Sequence, residues 1–318
     1  MQHPSKKSDF LHLHFIVLLY GFTAILGKLI TLSPELIVMW RTFLACIVLI
    51  GAILFLKIPN AITRKQFFIL AIIGALVALH WFLFFLAIDL SNVSVTLGCL
   101  ASATLFTSLL DPIISGKRIS WLEVLLGLIT ILGLYLITQF AFHYYLGIIA
   151  STSCALVAAI FTILNKRYVT EGINVYWIGV IEMGVAFILF AGISLYYNYE
   201  QLATMIPTAN DFIFLLFLGV VCTAYAFVKV ISILKNISAY YVTLAINLEP
   251  VYGILLAYLI FGKSELMSVG FYMGALIILI SVLGYPYMRK KLRNRTNSKT
   301  NEEVDHSDSG LLTMREKE

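Results

Sequence analysis

Glu249 and Pro250 are the residues whose types and position most clearly indicate chemistry. They lie in the middle of an otherwise apolar stretch that runs from Leu244 to Lys263. A carboxylate at the centre of a membrane-crossing segment costs about 2.5 kcal/mol or more, so such a group is usually functional. Pro250 donates no backbone hydrogen bond and leaves the carbonyl of Ile246 open. The pair predicts either a transport site in a kinked helix or a packing kink whose glutamic acid is protonated and hydrogen-bonded.

The neighbours of this pair add further polar and small side chains. Helical spacing puts Glu249, Tyr252 and Gly253 on one face. Asn247 lies two residues before the carboxylate. We therefore predict that Glu249, Tyr252 and Asn247 contact a substrate or couple its movement. Pro250 and Gly253 are predicted to kink the helix and to let another helix or a ligand approach closely.

Arg41 and Glu182 are the next candidates for a substrate or coupling site. They occupy nearly equivalent positions in the two halves of an internal repeat, each roughly 10 Å deep at 1.5 Å per helical residue. An unpaired charge at either position would cost considerable free energy. Arg41 could instead extend along its own stem toward water. Glu182 could instead make a structural hydrogen bond to a neighbouring helix.

Three more residues in apolar segments carry polar groups. His80 and Tyr225 correspond through the repeat, and Lys229 follows Tyr225 by one helical turn. A histidine here could titrate near neutral pH, donate to a substrate carboxylate, or bond a backbone carbonyl. Lys229 could bind a substrate carboxylate, pair with Glu182 or Glu249, or extend to the cytoplasmic surface.

The amino-acid composition indicates that these residues belong to a membrane protein. Of the 318 residues 60% are hydrophobic and 12% are charged, whereas a soluble domain carries about 25% charged residues. The net charge of +5 comes from loops and the C-terminal tail, which excludes a nucleic-acid partner. The four cysteines lie in apolar runs without metal-ligand spacing, and no phosphate-binding loop or HExxH motif occurs. We expect no cofactor, no metal site and no enzymatic activity.

Ten apolar runs are long enough to cross a bilayer as helices. They are His12–Ile30, Pro34–Leu56, Gln66–Ile88, Val93–Ser115, Trp121–Phe140, Leu146–Asn165, Val175–Tyr197, Phe212–Leu234, Ile237–Phe261 and Leu266–Tyr287. With the N terminus in the cytoplasm, loop residues such as Lys166 and Arg167 lie inside and only Lys263 lies outside, as the positive-inside rule requires. The polar segment from Asn297 onward is predicted to be a disordered tail.

The chain contains two related halves. Ser91-Asn92-Val93-Ser94 matches Lys235-Asn236-Ile237-Ser238, and Gly116-Lys117 matches Gly262-Lys263, about half the chain apart. Five spans per half is an odd number, so the second half must cross the membrane in the opposite sense. The predicted fold is therefore an all-α polytopic membrane protein whose ten transmembrane helices form two inverted five-helix repeats. The predicted parts are a head (1–11), a first repeat (12–140), a second repeat (146–287) and a cytoplasmic tail (288–318).

These motifs resemble the EamA-type transporters of the drug/metabolite transporter superfamily. The resemblance rests on the repeat and on four segments: Ala78-Leu79-His80-Trp81, Ser91-Asn92-Val93-Ser94-Val95-Thr96-Leu97, Leu248-Glu249-Pro250-Val251-Tyr252-Gly253 and the closing Gly-rich helix. It implies a ten-helix inner-membrane carrier with both termini in the cytoplasm, which often exports amino acids or other small metabolites. One departure is Lys263, which follows Gly262 where the family commonly has an acidic residue.

The sequence thus predicts a secondary transporter in the bacterial inner membrane. It would export a small polar metabolite such as an amino acid by alternating access, with proton coupling through Glu249 or Glu182. Its partners would be that small molecule and the lipid bilayer, and a homodimer is left open. The rival hypotheses are a membrane-embedded binding or assembly protein, an enzyme acting on lipid-linked substrates, and a channel; the channel is disfavoured because no filter-like loop occurs.

Overall fold

The described part of the chain is helical throughout. The computed structural model describes residues 7–116, 118–138, 144–200 and 202–261, together with scattered residues between 269 and 288. We number its helices α1 Lys7–Leu29, α2 Pro34–Phe55, α3 Arg64–Leu90, α4 Val93–Leu100, α5 Ala103–Ser115, α6 Trp121–Thr138, α7 Tyr145–Thr170, α8 Val175–Asn198, α9 Ala209–Gly219, α10 Ala226–Leu234, α11 Ala239–Ile246 and α12 Glu249–Phe261. A 3₁₀ helix, Leu202–Met205, precedes α9.

Eight segments of the described chain are long and apolar enough to cross a membrane. They correspond to eight of the ten predicted spans. The fifth, Trp121–Phe140, corresponds to α6, in which only the shorter apolar stretch Trp121–Gly133 is found. Of the tenth, Leu266–Tyr287, the structure describes scattered residues, which are helical, and the predicted disordered tail lies outside the described residues. The predicted all-helical membrane architecture is therefore confirmed, but the predicted number of ten helices is not.

The fourth and ninth predicted spans are each broken into two helices. In the fourth span α4 ends at Leu100 and α5 begins at Ala103. In the ninth span α11 ends at Ile246 and α12 begins at Glu249. The predicted kink at Glu249-Pro250 is thus a helix end followed by a new helix start, which places the carboxylate at the positive end of the α12 dipole.

Local backbone bonding explains both breaks. The amides of Asn247 and Leu248 bond the carbonyls three residues earlier, Leu244 and Ala245. Such tightened 3₁₀ bonds are common where a helix ends. Pro250 then falls within the first turn of α12, where its missing N–H leaves no gap in the helix. At the first break, the amides of residues 101 and 102 make the same three-residue bonds without a proline.

The helices of the two halves interleave. α2 packs along α8, α3 packs along both α7 and α8, and α1 packs along α12. Small residues allow the closest approaches. A Cβ added to Gly21 would lie 2.9 Å from the backbone nitrogen of Gly253, and one added to Gly74 would lie 2.8 Å from the Cα of Glu182. Gly21 therefore allows α1 to approach the backbone of Gly253, whereas a Cβ on Gly253 itself would lie 3.0 Å from a methyl group of Leu97 and 3.6 Å from the Cα of Gly21.

One turn of π-helix joins α9 to α10. It covers Val220–Tyr225 and places the hydroxyl of Thr223 within 2.7 Å of the carbonyl of Leu218, five residues earlier. π-Turns inside helices are rare and often lie at functional sites. Here the turn points Thr223 toward α2, as described below.

Lys166 lies inside the helix bundle rather than in a solvated loop. The ammonium group, with only 8% of the residue exposed, donates to the carbonyls of Leu234 (2.8 Å) and Ile237 (2.6 Å). These carbonyls end α10 and lead into α11, so they have few partners within their own helix. Lys166 therefore ties α7 to the connection between the eighth and ninth spans, and its prediction as a loop residue was wrong.

We expect Lys166→Met to lower the free energy of unfolding by about 1–3 kcal/mol, because it leaves two buried carbonyls without a donor. The matched control is Arg167→Met, which removes an exposed ion pair with Glu171 and a cation–π contact with Tyr168. Exposed pairs contribute about 0–1 kcal/mol. Denaturant titration of both variants in detergent measures the difference, and equal losses would contradict the structural role of Lys166.

Candidate functional site

A buried cavity lies between the two halves, next to both helix breaks. It offers about 100 Å³ to the centres of water-sized molecules, several times the roughly 10–15 Å³ that one water needs. Its polar wall consists of Tyr20, Thr23, Arg41, His80, Thr162, Asn165, Thr243, Asn247 and Glu249, and its aromatic wall of Trp81, Phe84, Phe161 and Phe227. The cavity is therefore large enough for a small molecule and combines charged, amide and aromatic groups.

Arg41 is the cation of this cavity. Only 2% of the residue is exposed, so extension to water is not what stabilises it. Its Nε and Nη2 both donate to the hydroxyl of Thr223, at 3.0 and 2.8 Å. Its guanidinium carbon lies 4.2 Å from the centre of the Trp81 ring and 5.6 Å from that of Phe85. Hydrogen bonds and cation–π contacts thus fix the orientation of the side chain.

The π-helical turn makes the Arg41 geometry possible. The Thr223 hydroxyl donates a hydrogen bond to the Leu218 carbonyl, so both lone pairs of its oxygen can accept hydrogen bonds from Arg41. The remaining nitrogen of the fork, Arg41 Nη1, has no hydrogen-bond partner within the described part of the chain. A buried guanidinium nitrogen without a partner is costly, and a bound ligand would satisfy it.

Glu249 supplies the carboxyl group of the cavity. It opens α12 with 4% of its surface exposed, and among the described residues its carboxylate forms no hydrogen bond or salt bridge. Arg41 and Tyr20 line the same cavity. The carboxyl and guanidinium groups therefore share one cavity without forming a salt bridge in the described structure, an arrangement that a ligand with polar or charged ends would complete.

The broken spans meet beside Glu249. The amide nitrogen of Asn247 donates to the hydroxyl of Thr104, and Thr107 bonds Thr243 at 3.3 Å. These contacts join α5 of the first half to the break and to α11 of the second. Asn247 thus both lines the cavity and links the two halves, whereas position 103, the counterpart of Glu249 in the first half, is alanine.

His80 lies in the cavity wall, and its hydrogen bond is to the backbone. Its Nδ1 is 3.1 Å from the carbonyl of Cys154 and 3.0 Å from the sulfur of the same residue. Its ring meets that of Phe161 edge to face at 5.3 Å. The bond to a carbonyl was one of the roles considered for this histidine, and it leaves Nε2 for another contact.

Glu182 lies beside the cavity and not in its wall. Its Oε2 accepts a hydrogen bond from the Asn165 side chain at 3.2 Å. Asn165 lines the cavity. Glu182 therefore makes the interhelical bond that was one alternative for it, and it can reach a ligand only through Asn165.

Three other candidates lie away from the cavity. Tyr225 and Tyr252 line a separate groove on the surface of the helix bundle, beside the first half of α1. The centre of the Tyr225 ring lies 6.5 Å from that of Phe15. Lys229 is half-buried on α10 but is not in the cavity wall.

Sequence reasoning did not find Thr223, Asn165 or Tyr20. A threonine in an apolar run carries no signal of a π-turn, and a tyrosine there is indistinguishable from a packing residue. Asn165 entered the sequence analysis only as the last residue of a predicted span. Within the described residues no group of three or more histidine, cysteine, aspartate and glutamate side chains could hold a metal ion.

Comparisons with known proteins agree with the architecture. A family model described as the EamA-like transporter family matches residues 11–139 and 145–285. No curated protein matches the chain. A solved structure whose title reads only "Crystal structure of protein" has 19% identity and a TM-score of 0.67, over 87% of this chain and 96% of that one. At this identity the likeness concerns the fold alone.

We expect Thr223→Val to destabilise the protein by about 1–3 kcal/mol, because two buried Arg41 nitrogens lose their acceptor. Thr223→Ser keeps the hydroxyl and should restore most of the loss. Thr42→Val serves as a control, since that hydroxyl bonds only carbonyls of its own helix. Unfolding free energies measured in detergent test this, and a Thr223→Val variant as stable as Thr42→Val would contradict it.

Proposed function

The chain belongs to the EamA-like transporter family, and from this premise we propose that it is a secondary transporter of a small polar metabolite such as an amino acid. The substrate moves outward by alternating access and in exchange for protons. The site is the cavity that holds Arg41 and Glu249. The protein resides in the bacterial inner membrane with both termini in the cytoplasm.

The pair of buried opposite charges carries this proposal. Arg41 keeps one nitrogen without a hydrogen-bond partner in the described chain, and the Glu249 carboxylate lies in the same cavity. Two charges that served stability alone would gain most from direct contact. Kept apart, they fit a small molecule that bears an acceptor at one end and a donor at the other. The aromatic wall fits the apolar part of such a molecule.

The matching helix breaks support alternating access. α4 and α11 each have 8 residues, and α5 and α12 each have 13. Each first segment is preceded by a capping side chain, Asn92 in one half and Ser238 in the other. Two structurally similar halves of opposite orientation would give two similar states, one open to each side of the membrane. The cavity at their junction would then face each side in turn.

The distribution of basic residues supports the orientation. Arg64, Lys65 and Arg118 fall in connections that this topology places in the cytoplasm, as do the basic residues that begin the tail. Short loops rich in lysine and arginine remain on the cytoplasmic side. The outward direction of transport follows what is expected of this family.

We expect cells that express the wild type to release a polar metabolite that cells with empty vector do not release. Glu249→Gln, at matched membrane abundance, should lose this release because the neutral amide cannot act as the anion of the cavity. Glu171→Gln, a change at an exposed loop glutamate, should retain it. Mass spectrometry of the medium measures the release.

The outcomes separate the competing functions. A compound enriched by the wild type and Glu171→Gln alone would identify the substrate and place Glu249 in its path. Identical media from all four strains would contradict export and favour a binding or assembly role. Release that survives Glu249→Gln would retain transport and remove Glu249 from the mechanism.

A further inference from the structure

Glu182 and Asn165 leave two buried oxygen atoms without partners. Glu182 is fully buried and Asn165 is 1% exposed. One hydrogen bond joins them, from Asn165 Nδ2 to Glu182 Oε2. Glu182 Oε1 and Asn165 Oδ1 have no hydrogen-bond partner among the described residues. Each unsatisfied buried polar atom costs about 1–3 kcal/mol, so two in one pair require an explanation.

One proton on the Glu182 carboxyl group would give both of these oxygen atoms a hydrogen-bond partner. A carboxylic acid and a primary amide can form two parallel hydrogen bonds, in which the amide donates to one carboxyl oxygen and the other carboxyl oxygen donates to the amide. The first of these bonds is already present. We propose that a proton on Glu182 Oε1 completes the second bond, to Asn165 Oδ1, and that this acid–amide pair draws Asn165 away from the cavity.

The surroundings favour a neutral pair over an ion pair. The ionisable side chains near the middle of the helices around Glu182 are Arg41 and Cys46 on α2, His80 on α3, Lys166 on α7 and Lys229 on α10. None of them bonds Glu182 in the described structure, and Arg41, His80 and Lys166 are held by Thr223, Cys154 and two backbone carbonyls. An isolated carboxylate in such surroundings is costly, and protonation removes that cost.

The position of Glu182 is also fixed. The backbone of Gly74 on α3 lies against the Glu182 backbone so closely that a Cβ on the glycine would collide with it. The backbone of Glu182 therefore cannot move relative to α3 without a collision. Asn165 is the element that moves, because its amide can face either Glu182 or the cavity that it lines.

The consequence is competition between a proton and a substrate, and this step rests on the proposed function. When Glu182 is ionised, the two oxygens repel each other and the Asn165 carbonyl turns to accept a hydrogen bond from a substrate. When Glu182 takes up one proton from the aqueous phase, the carbonyl returns to the acid. Substrate release and proton uptake are thus linked through the Asn165 amide, so that the protein exchanges a substrate molecule for a proton.

Infrared difference spectroscopy of the purified wild type between acidic and alkaline pH tests the pair without any substrate. Glu182→Gln should remove one component of the band from protonated carboxyl groups. Asn165→Ala should shift the same component to higher wavenumber, because the carboxyl loses the hydrogen bonds from and to the amide. Asn247→Ala, which alters another buried amide of the cavity, should leave this component in place.

Each result decides the matter. A spectrum of Glu182→Gln identical to that of the wild type would overturn the proposal, and so would an Asn165→Ala spectrum in which no component shifts. If Glu182→Gln fails to fold, Asn165→Ala and its Asn247→Ala control decide alone. Spectra that behave as expected in a protein that exports nothing would contradict the proposed function and leave the acid–amide pair standing.

Discussion

The structure depends on keeping Arg41 charged, buried and only partly satisfied. The guanidinium is removed from bulk water, so the protein must supply most of its partners. It does so with the Thr223 hydroxyl and the face of Trp81. The π-turn positions Thr223, and the close packing of α2 on α9, where Gly219 meets the Arg41 backbone, brings the two elements together. The one nitrogen without a partner among the described residues is what a ligand of the proposed site would satisfy.

The broken spans solve a related problem. A carboxylate in the middle of a continuous helix would face a saturated backbone, whereas Glu249 begins a helix whose first amides carry partial positive charge. The break also lets Asn247 reach Thr104 in the other half. The first half is broken at the matching place but has Ala103 where the second half has Glu249. One architecture therefore appears twice, and only the second copy carries the acid.

Hydropathy and spacing were enough to predict the membrane architecture, eight of the spans and the unusual position of Glu249. These features follow from the local sequence, since a long apolar run must cross the bilayer and a proline must disturb a helix. The partners of Arg41 and Glu182 could not be predicted in this way. They depend on which helix faces converge, and Thr223 and Asn165 come from distant parts of the chain. The burial of Lys166 was missed because a lysine at a helix end ordinarily reaches water.

We propose that Glu249 serves ligand binding and lowers the stability of the protein when no ligand is bound. The most direct measurement is the unfolding free energy of Glu249→Leu against the wild type, in detergent and without added metabolite. Removal of a buried carboxylate that has no hydrogen bond or ion pair among the described residues should leave the stability unchanged or increase it. A loss of about 1 kcal/mol or more would mean that Glu249 stabilises the helix break, and it would contradict the account.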